Sequence, residues 1–501
     1  MADSVKRKSP IVDTPADSDT EVSGGDAPIN EKRLLRKLDY HLLPAVGVLY
    51  LLSFLDRSNV GNARIEGMLD DLHMTGNQYL TGLTLYFVAY VLFEIPCNII
   101  LKRTSPRVWL PTLTIAWGVV ATLLGVVQDM PGFFVARFFL GITESGLFPG
   151  VVYYFSMWYK RRERQYRISL FFSAASLAGA FGGVLAYGIG RMSGIVWQHG
   201  WRWIFILEGI LTVIVAIAAY WFIHNYPDTA KFLTPDERRH IHQRLAADSD
   251  ATNDEKFTWS AVSDALKDVD CWLYGLGFHT MSLPLYTLSL FLAHAISLHP
   301  TDEFTQPTII SSLGYTAAKA QLLTVPPYAF AFLTTIAAAV LSERTGQRAL
   351  FIGGAALFGA VGYAILLSNT APRERPGVSY AGTFFAAGGI YPAVALVLSW
   401  PAINVSGQTK RAVANALQIS VGNLGAVLGT QLYRAADGPR FIVGHSVALA
   451  YLLANVLVVS LLWWRLRREN RRRDDDAAAA PVAEGFSDWK GDADPRWRFE
   501  Y

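Results

Sequence analysis

The chain has 501 residues; 52% of them are hydrophobic, 17% are charged, and the formal net charge at pH 7 is +3. So apolar a composition excludes a set of ordinary soluble domains, and so small a net charge gives no sign of a nucleic-acid partner. The two cysteines, Cys97 and Cys271, are far apart and lie in or beside apolar stretches, which excludes a disulfide framework and a cysteine metal motif.

Residues 1–41 are predicted to form a disordered cytoplasmic segment. The first thirty or so are polar and lack the apolar core of a secretory signal. We therefore expect the first membrane span itself to direct insertion.

Twelve apolar stretches approach the ~20 residues that a helix needs to cross a bilayer. They lie at 42–61, 79–101, 108–128, 133–156, 168–190, 203–223, 272–294, 320–341, 349–368, 378–400, 413–433 and 442–464. A polar segment at 224–270, with short amphipathic stretches, separates two halves at 42–223 and 271–464. The predicted fold is an all-α membrane protein with twelve transmembrane helices in two six-helix halves, followed by a disordered cytoplasmic tail at 465–501.

The loop charges favour this count. Under it, the basic clusters at 32–37, 102–107, 160–167, 344–348, 410–411 and 465–473 all fall on one side. The opposite loops carry acids, namely Asp70, Asp71, Asp129, Asp302 and Glu303. The positive-inside rule then places both termini in the cytoplasm, and adding or removing one span would scramble the pattern.

Charged residues also lie within the apolar stretches, at a cost of roughly 2.5–3.5 kcal/mol each on insertion scales. Asp56 and Arg57 end the first span. Neighbours on a helix project about 100° apart, so each needs a separate partner or a wet cavity. The alternative is that both side chains lie at the far interface and extend to water there.

Arg137 and Glu144 lie in the fourth span, seven residues apart. Two helical turns place them on one face about 10.5 Å apart, too far for a direct pair but suited to two polar stations lining one cavity. A carboxyl group can take a proton from one side and release it on the other, and an arginine forks onto carboxylates. The pair indicates an anion carried with protons. The alternative is a structural salt bridge to another span. Glu94 and Glu208 could serve in packing or in gating, and for both we favour the structural role.

Short charged turns at the predicted cytoplasmic ends indicate a gate that holds the two halves together. Its candidate residues are Arg164, Arg167, Glu343, Arg344 and Arg348. The alternative is that they only fix the topology. The chain shows no phosphate-binding loop, no dinucleotide fingerprint and no nucleophile beside a base, so we predict neither an enzyme nor an ATP-driven pump, and no cofactor or metal.

Several segments resemble one family. They are YLLSFLDRSNVGNA at 50–63, FEIPCN at 93–98, the stretch 137–150, GWRWIF at 200–205, LLTVPPY at 322–328, KRA at 410–412, and DP at 494–495 with RF at 498–499. From about residue 31 to 501 the chain resembles fungal members of the anion:cation symporter family of the major facilitator superfamily, in the allantoate-permease-like branch.

The resemblance implies a proton-coupled importer of small organic anions that works by alternating access. The positions that serve proton coupling in such proteins match Asp56 and Glu144, and those that bind the anion match Arg57 and Arg137. Tyr90 matches a tyrosine that contacts substrate in bacterial relatives, and Asn423 is placed similarly in the eleventh span. Two departures are Ala293-His294, where fungal members often have a proline, and the serines described next.

Ser173 and Ser176 stand where bacterial sugar-acid carriers use a glutamine, which argues against their substrate. Known fungal substrates include allantoate, nicotinate, pantothenate, biotin and dipeptides, and the motifs do not choose among them. We expect a monomer in the plasma membrane whose partners are a small organic anion, protons and lipid. The open alternatives are the vacuolar membrane, an uncoupled facilitator or exporter on this fold, and a nutrient sensor that does not transport.

Overall fold

The computed structural model describes residues 29–190, 192, 199–247, 258–292, 322–372, 374–434, 437, 440–479 and 491–501. Within these ranges the chain is built of helices and contains no strand. The expectations for Asp302, Glu303 and Ala293-His294 lie outside the described residues.

The helices of the first half are α1 Glu31–Ile65, α2 Met68–Asp71, α3 Gly76–Arg103, α4 Pro106–Leu124, α5 Met130–Glu144, α6 Leu147–Ser156, α7 Arg161–Gly190 and α8 Gly200–Phe222. The polar segment holds α9 Pro235–Ala247 and α10 Trp259–Lys267. The second half contains α11 Val269–Phe291, α12 Val325–Thr345, α13 Arg348–Ser368, α14 Pro376–Asn404, α15 Gln408–Gly429 and α16 Ile442–Ala479.

Eleven stretches of the described chain are long and apolar enough to cross a membrane, with α5 and α6 forming one of them. The predicted seventh span coincides with α11, a helix of 23 residues that is not among the eleven. Polar residues such as Thr280, Ser282 and Thr287 lower its hydropathy, and all three are buried against protein. The count of twelve spans and the cytoplasmic side of the termini stay predictions.

The fourth span is interrupted in its middle. Helix α5 ends at Glu144 and α6 begins at Leu147, and the chain is buried throughout the break. A Cβ atom on Gly146 would lie 2.7 Å from Leu113 Cδ1 and 3.0 Å from the Cβ of Cys97. Irregular backbone at membrane depth is tolerated where protein covers it. The break therefore places the Glu144 carboxyl group at a helix end inside the bundle.

The two halves meet along helices that pack across the middle of the molecule. Helix α7 packs on α12 and α14, α3 packs on α15, and α1 touches α11. Within the halves, α4 packs on α8, α13 on α14, and α11 on α15. Glycines assist the last contact, since Gly422 and Gly425 press against Phe278 and the carbonyl of His279. Their role in the described structure is helix packing.

Ordered structure extends beyond the predicted ends of the bundle. Helix α1 begins at Glu31. The side chain of Asn30 caps it by accepting a hydrogen bond of 3.2 Å from the backbone N–H of Arg33. Leu34 and Leu38, in the first turns of the helix, are buried. The prediction of disorder up to residue 41 is therefore wrong from residue 31 onwards, because a capped helix with an apolar face starts there.

The tail prediction fails in the same way. Helix α16 runs for 38 residues through the basic run to Ala479, and residues 491–501 pack beside it. Asn470 Nδ2 donates to the carbonyl of Phe499 at 2.8 Å, and Arg473 Nη1 donates to the carbonyl of Trp497 at 3.0 Å. Disorder over 465–501 is wrong for residues 465–479 and 491–501, because side chains of α16 satisfy backbone groups of the later segment. We call residues 491–501 the closing segment.

Candidate functional site

A small cavity lies between the two halves. The first half lines it with Tyr50, Arg57, Tyr90, Phe148 and Phe172, and the second half with Phe278, Leu285, Tyr286, Leu398, Ile419 and Asn423. Its volume is about 20 Å³, which is room for about one water molecule. The halves are thus closed around this site.

Arg57 connects the two halves at the cavity. Its Nη2 donates to Glu144 Oε2 at 2.9 Å, and its Nη1 donates to the Tyr286 hydroxyl at 2.7 Å. The side chains of Arg57 and Glu144 are 7% and 0% exposed. A buried ion pair is sensitive to the loss of either partner, since the remaining charge is left uncompensated. Any movement that separates the halves must also break the bond to Tyr286.

Aromatic rings enclose the guanidinium group. Its central carbon lies 5.4–6.0 Å from the ring centroids of Phe54, Tyr86, Tyr90 and Tyr286. Ring faces attract a cation at such distances, by about 0.5–2 kcal/mol each. Arg57 is therefore held by one carboxylate and a cage of aromatic rings.

Glu144 receives all its hydrogen bonds on one oxygen. Besides Arg57, the Tyr86 hydroxyl donates to Oε2 at 2.7 Å and Ser53 Oγ donates at 3.1 Å. The other oxygen, Oε1, is buried and has no hydrogen-bond partner in the described structure. One oxygen is thus engaged by three donors, while the other makes no hydrogen bond in the described structure.

Arg137 lies on the same helix but in different surroundings. Its guanidinium carbon is 4.8 Å from the Tyr86 ring centroid, and its Nε and Nη1 atoms are buried without a hydrogen-bond partner among the described residues. It is not part of the cavity lining. Tyr86 stands between Arg137 and Glu144 and touches both, so the two charges share a neighbour rather than the described cavity.

Asp56 points into the packed interior of the first half. Trp117 Nε1 and Thr212 Oγ1 both donate to its Oδ2, at 3.1 and 3.2 Å. One helical turn further along α1, Asn59 donates to Glu208 of α8. Asp56 is 1% exposed and is not part of the cavity lining. Adjacent residues of α1 therefore serve two separate environments, as the 100° divergence predicts.

The remaining candidate residues also divide into those that line the cavity and those that do not. Tyr90 and Asn423 both line the cavity, one from each half. Ser173 and Ser176 donate to carbonyls of their own helix, Leu170 at 2.6 Å and Ser173 at 2.8 Å.

Two of the five gate candidates cross between the halves. Arg164 Nη1 donates to the carbonyl of Ala402 at 3.3 Å, and Arg348 contacts both Gln165 and Glu500. Arg167 instead forks onto Asp39 of α1 at 2.8 and 2.9 Å, which keeps it within the first half.

Glu343 and Arg344 are exposed, and in the described part of the chain no ion pair reaches them. Among the gate candidates, contacts between the halves are therefore made by Arg164 of α7 and Arg348 of α13, and not by Glu343 and Arg344 in the last turn of α12.

Three interacting groups escaped the sequence interpretation. Tyr286 is one of 22 tyrosines and carries no local signal. Glu500 lies in a segment predicted to be disordered. Glu94, taken as structural, accepts a bond of 2.9 Å from Ser420 of the other half. The FEIP motif that contains Glu94 was the one available signal.

The comparisons with known proteins agree with this architecture. Residues 46–430 match the model of the Major Facilitator Superfamily. The MFS-type transporter cnsO of Penicillium expansum is 37% identical over 444 residues, which cover 87% of this chain and 83% of that one. The high-affinity nicotinic acid transporter of Saccharomyces cerevisiae is 33% identical over 429 residues, with coverage of 85% and 76%.

Among solved structures, the proton:xylose symporter XylE aligns with a TM-score of 0.63 at 14% identity, covering 85% of this chain and 96% of that one. At this identity the likeness shows the fold alone.

Proposed function

The chain belongs to the Major Facilitator Superfamily, and we propose that this transporter carries a small organic anion together with protons by alternating access. The superfamily and the relatives are transporters, so the protein is not an enzyme. The observation that carries the proposal is the Arg57–Glu144 pair at the cavity, bonded across the halves to Tyr286.

The charge balance of the pair explains how an anion and a proton are coupled. With Glu144 ionised, Arg57 and Glu144 sum to zero, and a carboxylate entering alone would leave a net negative charge in a closed site. Two like charges 4 Å apart repel by about 4 kcal/mol at an effective dielectric constant of 20. If Glu144 takes a proton first, the entering carboxylate replaces it on Arg57 and the site stays neutral.

The geometry supplies a route for this exchange. A proton on Oε1 of Glu144 leaves the bonds from Tyr86 and Ser53 intact while weakening the hold on Arg57. The freed guanidinium can then fork onto a substrate carboxylate, since it presents parallel N–H donors. When the substrate anion and the proton are both released, the Arg57–Glu144 pair forms again. The empty transporter is then neutral at this site and can change back to its starting conformation.

Asp56 is the second residue proposed for proton coupling. It contacts α4 and α8 and does not line the cavity, so its proton would act through the packing of α1 within the first half. Arg137 is proposed to bind the anion on its path, because its buried N–H groups lack partners in the described structure.

The finer assignments belong to the same proposal. They are the allantoate-permease-like branch, import as the direction, and the plasma membrane as the location. The nicotinic acid transporter among the relatives carries a carboxylic acid by its name, which favours an organic anion as cargo here.

The test is uptake into proteoliposomes with an imposed pH gradient. A panel of labelled carboxylates is compared with the matching neutral amides. We expect a carboxylate to accumulate above its equilibrium level when the lumen is alkaline, and a protonophore to abolish the accumulation. Equal uptake with and without the gradient would replace the proposal with the facilitator. Binding of a carboxylate with no movement across the membrane would favour the sensor.

A further inference from the structure

The walls of the cavity are mainly aromatic. Six of the eleven lining side chains are rings, namely Tyr50, Tyr90, Phe148, Phe172, Phe278 and Tyr286, and three more are aliphatic. The rings support one another: the Tyr50 centroid lies 5.6 Å from that of Phe148 and 6.0 Å from that of Phe172. Offset and tilted ring pairs attract each other beyond the effect of the area that they bury.

The charge of the lining limits the charge of the ligand. Arg57 is the one cation among the described lining residues. Arg137 is separated from the cavity by Tyr86, over whose ring it lies. A second carboxylate on the ligand would be buried without a charged partner, which is strongly unfavourable. The site therefore suits a monoanion.

The hydrogen-bonding capacity of the lining excludes polyhydroxy acids. Beyond Arg57, the polar groups are the Asn423 amide and the hydroxyls of three tyrosines, one of which already binds Arg57. Each ligand hydroxyl left unpaired in the closed site would weaken binding. Ser173 and Ser176, which could have supplied more donors, bond to their own helix instead.

We infer that the preferred substrates are flat aromatic or heteroaromatic monocarboxylates, with the carboxylate on Arg57 and the ring between the aromatic walls of the two halves. This inference rests on the proposed function for the role of Arg57. A flat ring needs the least separation of walls that now enclose about 20 Å³. Asn423, facing the cavity from α15, is placed to bind a polar atom on the ring and so to distinguish heteroaromatic acids from benzoate.

The experiment measures binding to the purified protein, which needs no transport. Labelled nicotinate is displaced by benzoate, cyclohexanecarboxylate, nicotinamide, succinate and gluconate. Benzoate and cyclohexanecarboxylate share charge and carbon number, so their ratio reports the value of a flat ring. We expect benzoate to bind at least about tenfold more tightly, which corresponds to about 1.4 kcal/mol. Nicotinamide, succinate and gluconate should be weak competitors.

Two variants locate the preference. Phe172→Leu should reduce the preference in binding affinity for benzoate over cyclohexanecarboxylate. Asn423→Ala should reduce the difference in affinity between nicotinate and benzoate. Phe181→Leu is the matched control, since Phe181 lies on the same helix and is 49% exposed on the outside of the bundle. Tight binding of succinate or gluconate, an unchanged ratio in Phe172→Leu, or no binding by any aromatic acid would each overturn the inference.

The outcomes separate this inference from the proposed function. Aromatic acids that bind selectively but are not driven by a pH gradient leave the substrate class standing and reject the coupling. Uptake of a dicarboxylate that is driven by the pH gradient would support the coupling and reject the substrate class.

The closing segment carries a second, independent inference. Its Glu500 pairs with Arg348 of the second half and, at 2.9 Å, with Arg162 of the first. The ring of Trp497 lies 3.8 Å from the guanidinium carbon of Arg161, which also donates to the carbonyl of Arg498 at 2.8 Å. Residues of one short segment thus contact both halves at the face where α7 begins.

The anchorage of the segment is one-sided. Asn470 and Arg473 of α16 bind its backbone, and Trp400 and Asn404 of α14 donate to the carbonyl of Glu500 at 3.0 and 2.7 Å. All four anchors belong to the second half, while contact with the first half passes through the start of α7. The segment therefore travels with the second half and loses Arg161 and Arg162 when the halves part at this face.

We propose that the closing segment is a latch that stabilises the state in which this face is shut. Although burial alone would raise the pKa of Glu500, Arg348 and Arg161 outweigh it and hold this pKa below its usual range. The carboxylate therefore stays charged at neutral pH and keeps its ion pairs with Arg348 and Arg162.

Accessibility of a crevice between the two halves provides the test, since parting of the halves should open it. Ala412 borders a crevice between the halves that is also lined by Tyr153 and Asn415, and Ala412→Cys places a single thiol there. Its labelling by a water-soluble maleimide is measured in a background without Cys97 and Cys271. We expect Trp497→Ala and Glu500→Gln each to speed labelling several-fold. Arg498→Ala is the control, because that side chain pairs with Asp474 within the second half. Unchanged labelling in both latch variants would overturn the proposal.

Discussion

Asp56 and Arg57 are neighbours in sequence, yet their side chains lie in two different regions: one inside the first half and the other at the interface between the halves. Arg57 lies at the interface of the halves and bonds to both of them. Asp56 bonds to Trp117 and Thr212, which belong to its own half. If the halves move as rigid bodies, the contacts of Arg57 must change and those of Asp56 need not. A buried charge therefore responds to movement of the halves according to its place relative to their interface, and not according to burial alone.

The largest effect should come from Glu144→Gln. The amide cannot exchange a proton, so accumulation driven by a pH gradient should fall to the level seen without a gradient. Exchange of labelled for unlabelled substrate should survive, because it does not require release of the proton. Both are measured in the same proteoliposomes. Full accumulation by this variant would remove Glu144 from the coupling.

Arg57→Lys tests the other member of the pair. A lysine keeps the charge but cannot fork onto a carboxylate while reaching Tyr286. Loss of a charged hydrogen bond worth about 1.5–3 kcal/mol should lower the efficiency of uptake by roughly 10- to 100-fold. Arg64→Lys is the control, since Arg64 lies on the same helix and is buried outside the cavity lining. Equal losses in both variants would point to helix stability as the cause.

Tyr286→Phe removes the bond between the halves while keeping the ring. We expect about a tenfold change in apparent affinity, from a hydrogen bond of roughly 1.5 kcal/mol to a charged group. Tyr274→Phe is the matched control on the same helix, because Tyr274 is buried away from the cavity lining. An unchanged affinity would show that Arg57 does not use the bond across the halves during binding.

The smallest effect should come from Asp56→Asn. The amide oxygen can still accept the bonds from Trp117 and Thr212, so folding should be kept. We expect driven accumulation to fall about threefold, the equivalent of roughly 0.7 kcal/mol, with a weaker dependence on pH. If Asp56→Asn lost driven accumulation as completely as Glu144→Gln, the distinction between the two regions would be wrong, because a residue inside one half would then control the coupling.

Local sequence patterns predicted the helices and the divergence of Asp56 from Arg57, because both follow from the geometry of one helix. The pairing of Arg57 with Glu144 could not be predicted that way, since their distance depends on how α1 packs against α5. Tyr286 was missed for the same reason. The break after Glu144 was also missed, since Gly146 is required by Leu113 and Cys97 of other helices.

The errors at the ends of the chain have a different origin. Residues 465–501 are charged and polar in composition, which is typical of disordered segments. Composition does not show that Asn470 and Arg473 are spaced to bind the backbone of a segment more than twenty residues later.

The length of α16 has a mechanical consequence. A straight helix of 38 residues is about 57 Å long, almost twice the ~30 Å of hydrocarbon that it has to cross. If it pivots near Leu452, Arg473 lies about 31 Å away, at 1.5 Å per residue. Each degree of tilt then swings Arg473 sideways by about half an ångström, so about 6° displaces it by the length of a hydrogen bond of roughly 3 Å. The overhang acts as a lever arm, and a rocking motion too small to open the bundle wide is enough to pull the closing segment off α7.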